Sequence, residues 1–174
     1  MFILNSCSGS NDHIDDKEYI DVYYAIGYVD SDGPCEKDFV DSEVFDKGRV
    51  YIDRKEYEAI AKLLAGLKVS SDSITSTYGM CLQSNFHFAD SSYSRVSIGQ
   101  FGGMTVDSKP FARKDSLVYL LRQHSGFYNY YNREDLTRFC KELSSFNIPE
   151  DYQDLSSNLD TINAFYAKIR ILVE

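Results

Sequence analysis

The sequence predicts an α+β domain, in which a mostly antiparallel sheet carries about three helices packed on one face. Alternating apolar and polar residues, typical of half-buried strands, run from Tyr19 to Val29 and again from Ile74 to Phe88. Apolar residues at helical spacing follow Asp53 and recur in the last third of the chain. Consecutive strands joined by short turns favour antiparallel pairing, and amphipathic helices then cover a shared sheet face.

The first half of the chain contains two predicted strands and one helix. The strand at Tyr19–Val29 is followed by a turn-rich stretch and a short strand at Arg49–Asp53. Asp53 is the predicted N-cap of the helix, and Glu56 completes a capping box. The apolar stripe of this helix comprises Tyr57, Ile60, Ala61, Leu64 and Leu67.

A hairpin is predicted in the middle of the chain, with antiparallel strands at Ile74–Phe88 and Tyr93–Phe101. Gly102-Gly103 gives a turn or a bulge, after which Met104–Asp107 continues the sheet. These segments extend the antiparallel sheet that the first strand begins.

The next segment, Leu117–Leu121, is a short apolar run that suits either a strand or a helix. The stretch Gln123–Gly126 has the composition of a turn. We therefore predict a strand at Leu117–Leu121, with Phe127–Tyr131 as the returning strand.

Two helices are predicted near the end of the chain. Asn132 caps a helix that runs to about Ser145, and the last helix begins near Ser157. Val50–Glu56 and Asn129–Asp135 share one pattern of strand, N-cap, Arg and acidic residue. This match predicts an internal strand–helix repeat, unless it reflects only what any strand-to-helix junction requires. The apolar stripes are Leu136, Phe139, Cys140 and Leu143 in the first helix, and Leu159, Ile162, Phe165, Tyr166 and Ile169 in the second.

Length and charge limit the classes of protein. With 174 residues the chain suits one domain, which we place at 19–174 after a polar, acidic segment at 1–18. No stretch approaches the roughly 18 apolar residues that span a bilayer. The formal charge is −9. Because such a surface repels phosphate backbones, we expect no direct nucleic-acid binding.

The negative charge belongs to one segment of the chain. From Asn11 to Asp46 there are 12 carboxylates and two lysines, a net charge of −10, whereas the remaining 15 acidic and 16 basic residues give +1. The segment is either a solubilising surface or a docking surface for a basic protein partner. The predicted partner-binding residues are Asp30, Asp32, Glu36, Asp38, Asp41, Glu43 and Asp46.

The segment Leu4-Asn5-Ser6-Cys7 resembles the lipobox of bacterial lipoproteins, and the polar, acidic stretch after Cys7 resembles a lipoprotein tether. The resemblance implies lipidation at Cys7, which would be the chain's route to a membrane. The apolar stretch Met1–Leu4 is short and carries no Lys or Arg, unlike a complete signal. The sequence therefore leaves bacterial cytoplasm and a lipid-anchored periplasmic or surface location open.

No catalytic constellation is recognisable. Cys81 and His87 share a face of one predicted strand but lie about 20 Å apart at 3.3 Å per residue. Cys140 and His124 would meet only through the tertiary fold. No nucleophile elbow, zinc-binding pair or phosphate-binding loop is present. We expect no metal, no cofactor and no enzymatic activity, with a cysteine enzyme using Cys81 or Cys140 as the competing hypothesis.

Aromatic residues suggest a second kind of surface. The chain has 14 Tyr and 11 Phe but no Trp. Tyr128, Tyr130 and Tyr131 lie beside Arg133 and form either a half-buried strand or a recognition patch. The favoured hypothesis is a non-catalytic binding protein, of the immunity or inhibitor type, that neutralises a basic protein partner. The alternative is a surface or periplasmic lipoprotein that binds a ligand through this aromatic face.

Overall fold

A computed structural model describes residues 17–26, 46–70, 82–158 and 165–174. These ranges contain one seven-stranded sheet and three α-helices, which confirms the α+β class. The strands are β1 (Tyr19–Ile26), β2 (Asp46–Ile52), β3 (Leu82–His87), β4 (Tyr93–Ile98), β5 (Met104–Val106), β6 (Lys109–Phe111) and β7 (Phe165–Val173). The helices are α1 (Arg54–Ala65), α2 (Asp115–His124) and α3 (Cys140–Phe146), with 3-10 turns at Phe127–Tyr130, Asp135–Phe139 and Ser156–Asn158.

The sheet has the order β2-β7-β1-β3-β4-β5-β6. Every neighbouring pair is antiparallel except β2 and β7, which are parallel. β1 lies inside the sheet, so that Tyr24 is opposite Leu82 of β3 on one side and Ala167 of β7 on the other. The predicted hairpin is confirmed at Leu82–His87 and Tyr93–Ile98, as is its continuation in β5, whereas 74–81 of the predicted first strand lies outside the described residues.

One face of the sheet, here called the apolar face, forms the core with the helices. It is the side on which Ile20, Val22 and Tyr24 of β1 lie, and all three are fully buried, as the alternating pattern predicts. The Tyr24 hydroxyl donates a hydrogen bond of 2.8 Å to the backbone oxygen of Ser125, directly after α2. The helices therefore cover this face.

Helix α1 begins as the sequence predicts. The Asp53 carboxylate accepts a hydrogen bond of 2.7 Å from the backbone N–H of Glu56, which satisfies one free donor of the first turn. Tyr57 and Ile60 are buried in the core. The Tyr57 hydroxyl donates to the backbone oxygen of His87, 2.8 Å away, and so links α1 to the end of β3.

The strands predicted at Leu117–Leu121 and Phe127–Tyr131 are wrong. The first segment belongs to α2, which buries Leu117, Val118 and Leu121 at helical spacing. Gly126 then adopts a left-handed φ of +67° and leads into the 3-10 turn at Phe127–Tyr130. Because the second copy of the proposed repeat lacks a strand, the match with Val50–Glu56 is limited to sequence.

The helix predicted at Asn132–Ser145 is divided in two. The Asn132 side chain does act as a cap, since its oxygen accepts a hydrogen bond of 2.8 Å from the backbone N–H of Asp135. A 3-10 turn at Asp135–Phe139 follows, and α3 continues to Phe146.

The last predicted helix is wrong where the structure describes it, because 165–173 form β7. This strand alternates as a strand should, and Ala167, Ile169, Ile171 and Val173 are buried. Pairing with β1 on one side and β2 on the other supplies its hydrogen bonds. Tertiary pairing has therefore overridden the helical spacing of the apolar residues.

Candidate functional site

The predicted acidic residues lie mostly outside the described residues. Asp46 opens β2 opposite Lys168, whereas Asp30, Asp32, Glu36, Asp38, Asp41 and Glu43 are outside, as is Cys7. The strands on either side of 27–45 are described. β1 ends with Ile26 opposite Phe165, and β2 begins close to the same end of β7. The acidic connection therefore leaves and re-enters the sheet at one end.

The predicted aromatic patch is not a surface. Tyr128 and Tyr131 are buried, with 1% and 7% exposure, and Tyr130 is half-buried. Tyr128 and Tyr131 pack around Phe139, with ring centroids 6.0 and 5.0 Å from it. Burial raises the pKa of Tyr128 well above its ordinary value. These tyrosines form an aromatic cluster in the core, since the segment folds as a 3-10 turn under the helices.

The candidate catalytic residues are not assembled by the described structure. Cys140 is an exposed free thiol at the start of α3, and Cys81 lies outside the described residues. His124 Nε2 lies 3.0 Å from Glu56 Oε1, beside a cavity of about 450 Å³. Among the described residues no cluster of His, Cys, Asp or Glu could hold a metal. In the same part of the chain no helix is long and apolar enough to cross a membrane.

The sheet has a second face that is polar at almost every position. This polar face consists of the strand residues that point away from the core. Its centre is buried and its margin is exposed. The residues are Tyr19, Asp21, Tyr23, Arg49, Tyr51, Gln83, Asn85, His87, Tyr93, Arg95, Ser97, Thr105, Lys168, Arg170 and Leu172.

A row of stacked side chains crosses the polar face. The Tyr19 ring lies between the His87 ring, at a centroid distance of 4.1 Å, and the Arg170 guanidinium, 4.4 Å away. His87 in turn stacks on Tyr93, with centroids 5.8 Å apart. Both faces of the Tyr19 ring are therefore covered, whereas Tyr93 at the end of the row is 57% exposed.

An ion pair lies next to this row. Arg170 donates two hydrogen bonds to the Asp21 carboxylate, of 2.7 and 3.0 Å, and His87 Nε2 lies 3.8 Å from Asp21 Oδ2. Burial lowers the pKa of His87, and the charge of Arg170 lowers it further against the opposing effect of Asp21. His87 therefore gains a proton less readily than an exposed histidine.

Gln83 is the anomalous residue of the polar face. It lies opposite Tyr23 of β1 and Ser97 of β4, and it is only 1% exposed. Neither its amide nitrogen nor its amide oxygen has a hydrogen-bond partner. An unsatisfied buried polar group costs about 1–3 kcal/mol. The fold therefore retains a buried, unsatisfied amide inside the polar face.

The polar face is cationic, although the chain is acidic. Arg49, Arg95, Lys168 and Arg170 lie on it, against Asp21 and Asp46, which is opposite Lys168. Arg170 is paired with Asp21, whereas in the described ranges no salt bridge involves the other three cations. This face was not predicted from sequence, because polar residues alternating along a strand indicate a solvated surface. The signal was the concentration of Arg and Lys at those alternate positions.

A second charged cluster is internal. Arg122 and Glu142, each 1% exposed, form a salt bridge between α2 and α3, and Arg113 donates to the other Glu142 oxygen at 2.5 Å. The Arg122 guanidinium also lies 4.8 Å from the ring centroids of Phe127 and Phe139. The Arg122–Glu142 pair is closed to solvent, so its role is to join elements of the fold.

No protein-family model, no curated protein and no solved structure matches this chain. Two features of the chain itself bear on its function: the acidic connection between β1 and β2, and the cationic polar face.

Proposed function

We propose that this chain is a non-catalytic binding protein that docks a basic protein partner through its acidic segment. The observation that supports the proposal is the separation of charge, with −10 between Asn11 and Asp46 against +1 elsewhere. A concentrated negative field attracts a basic partner at long range and accelerates encounter. An immunity or inhibitor protein that neutralises a basic toxin or nuclease needs this property.

The position of the flanking strands supports the same proposal. The connection 27–45 carries six of the acidic residues against Lys37 alone. It begins and ends beside β7, on strands two positions apart in the sheet. At about 4.8 Å between strands and about 3.3 Å per residue along β7, where Ile26 is opposite Phe165 and Asp46 opposite Lys168, its ends are about 14 Å apart. A rigid sheet end thus holds both ends of the acidic connection close together.

The test is a pull-down from the source organism's lysate at about 50 mM and about 300 mM salt. We expect one basic protein to bind at low salt and to be lost at the higher concentration. The triple variant Asp38→Lys, Asp41→Lys, Glu43→Lys should lose this protein at low salt and slow its association with the purified chain.

A matched control changes the net charge equally elsewhere. Glu58, Glu134 and Glu150 are exposed acidic residues in the helical part of the chain. The variant Glu58→Lys, Glu134→Lys, Glu150→Lys should keep the partner. Equal binding by both triple variants and the wild type would show that the acidic segment is only a solubilising surface.

The second candidate is a lipoprotein that binds a ligand through an aromatic face. The polar face favours it, since Tyr51 and Tyr93 are 43% and 57% exposed there. Lipidation of Cys7 is the part of this proposal that is simplest to test. After expression in a bacterial host and extraction with a phase-separating detergent, the wild-type chain should partition into the detergent phase. The variant Cys7→Ala should instead partition into the aqueous phase. A wild-type chain that stays in the aqueous phase would contradict lipidation of Cys7.

A further inference from the structure

On the basis of the function proposed above, we propose that β2 is a docking edge, which receives an extended, basic segment of the partner protein as an added antiparallel strand. The acidic connection attracts such a partner, and β2 continues directly from that connection. Three observations support this assignment: an open strand edge, a cavity that opens beside it, and negative charge next to both.

The two edges of the sheet differ in the described structure. The outer edge of β6 is covered, since Val69 forms a bridge with Phe111 and the backbone N–H of Ser70 donates a hydrogen bond of 3.1 Å to Pro110. At the opposite edge, β2 pairs with β7 alone among the described strands. An exposed strand edge is a ready template for another strand. β2 is therefore the edge that the described part of the fold leaves open.

Arg49 and Tyr51 direct their backbone groups outward from β2. The oxygen of Ile52 accepts a hydrogen bond of 3.0 Å from the backbone N–H of Glu174, directly after β7, so Ile52 faces β7. Backbone groups alternate in direction along a strand, so Tyr51 and Arg49 face away from β7. Both residues are exposed, Tyr51 to 43%. The edge thus offers two N–H donors and two C=O acceptors to an added strand.

The cavity of about 450 Å³ beside His124 opens next to this edge. Val50 and Ile169 form its wall on the side of the sheet. Val50 lies between the two outward-facing residues of β2, and its side chain packs on the apolar face, opposite to theirs. An added strand would therefore direct alternate side chains towards the cavity, which is how strand addition acquires specificity.

The cavity suits the side chain of a lysine or an arginine. Together with the two aliphatic side chains of the sheet, Leu155 gives an apolar surface on which the stem of such a side chain packs. Asp151, an exposed carboxylate on the same wall, is a partner for the charged head. His124 also lines the cavity, but Glu56 lies 3.0 Å from its Nε2 and offsets its charge when it is protonated.

Charge favours a basic segment over a second copy of this chain. Pairing of two β2 edges would bring together two molecules that each carry a net charge of −9, and such charges keep proteins apart. A basic segment is instead attracted by the acidic connection, which enters the sheet at Asp46, and by Asp151 at the cavity.

The probe is a fluorescein-labelled nine-residue peptide of alternating Thr and Lys, which places all lysines on one face of an extended strand. In an antiparallel pair, residues that exchange hydrogen bonds lie opposite each other and on the same face. Thr residues therefore bond to Arg49 and Tyr51, while the lysines face the cavity. Two modified peptides carry N-methyl groups at two central Thr residues or at two central Lys residues.

Fluorescence anisotropy at about 50 mM salt compares the three peptides. N-methylation at Thr removes the donors that face β2 and should weaken binding about tenfold, since each backbone hydrogen bond contributes a factor of several. N-methylation at Lys alters amides that point away from β2 and should leave binding within about twofold of the unmodified peptide. Charge and sequence are identical in the two modified peptides, so their equal binding would overturn strand addition.

Tyr51→Pro tests the same hydrogen bonds from the side of the protein. Proline removes the outward N–H and is compatible with an edge strand whose N–H faces solvent. Tyr51→Ala is the matched control, because it removes the same ring but keeps the N–H. We expect Tyr51→Pro to bind the unmodified Thr–Lys peptide about fivefold more weakly than Tyr51→Ala. Circular dichroism verifies that both variants are folded, and equal binding by two folded variants would contradict the proposal.

Asp151→Asn tests the cavity. It should weaken binding of the Thr–Lys peptide about threefold, because one exposed charge contact is lost. Glu134→Gln removes an exposed carboxylate that does not line the cavity and should leave binding unchanged. Equal binding by the two variants would exclude the cavity as the site of the basic side chain.

The pull-down separates this inference from the proposed function. If the wild type and Tyr51→Pro capture the same basic protein equally well, the acidic segment docks a partner and β2 takes no part. If no basic protein is captured but the peptide still discriminates between the two N-methylation patterns, the docking edge is supported and the proposed function is contradicted.

Discussion

Glu142 shows how strongly one residue can depend on its neighbours. Its carboxylate is buried between Arg122 and Arg113, and Arg122 also donates to the backbone oxygens of Gly99 and Gln100. Removing one partner of a buried ion pair leaves an uncompensated charge. The residue thus joins α2 and α3 to the turn after β4.

Glu142→Gln should therefore lower the free energy of unfolding by about 3–5 kcal/mol. Urea denaturation followed by circular dichroism measures the change. Glu150→Gln, at an exposed position, serves as control and should alter stability by less than about 0.5 kcal/mol. Similar values for the two variants would mean that the buried cluster contributes little.

His87 makes stability depend on pH. Because burial lowers its pKa, the folded protein binds the proton less readily than the unfolded chain, whose imidazole has a pKa of about 6.5. The stability that neutral His87 contributes is present above that pH and is lost as the pH falls towards the folded-state value. His87→Phe keeps a ring for stacking on Tyr19 and Tyr93 but cannot titrate.

We expect the urea midpoint of the wild type to fall more between about pH 7.5 and about pH 5.5 than that of His87→Phe. Equal falls in the two proteins would assign the acid sensitivity to other groups.

Among the elements, α1 has the clearest local signal. Asp53 caps it in the structure as in the sequence, so Asp53→Ala should cost about 1 kcal/mol. Thermal unfolding gives the measurement. Asp151→Ala removes an exposed aspartate outside any helix and should leave the melting temperature close to that of the wild type. If Asp53→Ala leaves the melting temperature unchanged, packing of Tyr57 and Ile60 alone fixes the helix.

The elements predicted wrongly from sequence are those that depend on distant partners. Leu117–Leu121 is too short for its periodicity to separate strand from helix, and the turn after it favoured the wrong choice. β7 has both a helical spacing and an alternating one, and only the neighbouring strands β1 and β2 decide between them. In contrast, β1, α1 and the β3–β4 hairpin follow from local patterns.

At the scale of the molecule, the class of fold was predictable because each element needs one apolar face to bury, and this requirement is visible in the sequence. The polar face was not predictable. It arises when β7 places Lys168 and Arg170 on one side of β1, and β3 places Gln83 on the other side of β1. Such a surface exists only after residues far apart in the chain have paired.

Separation of charge is a property of the whole chain as well. Sequence alone locates the acidic segment, but the structure shows that the folded sheet also carries an excess of cations on its polar face. The acidic segment and the polar face therefore carry opposite net charge.

The place of β7 between β1 and β2 has a consequence for biosynthesis. The two strands that flank β7, β1 and β2, leave the ribosome long before β7 is translated, and they do not pair with each other. Until then each nascent strand has an unpaired edge, which is a template for aggregation. Completion of this half of the sheet therefore follows synthesis of Phe165–Val173, and a chaperone that shields strand edges would have most effect before that point.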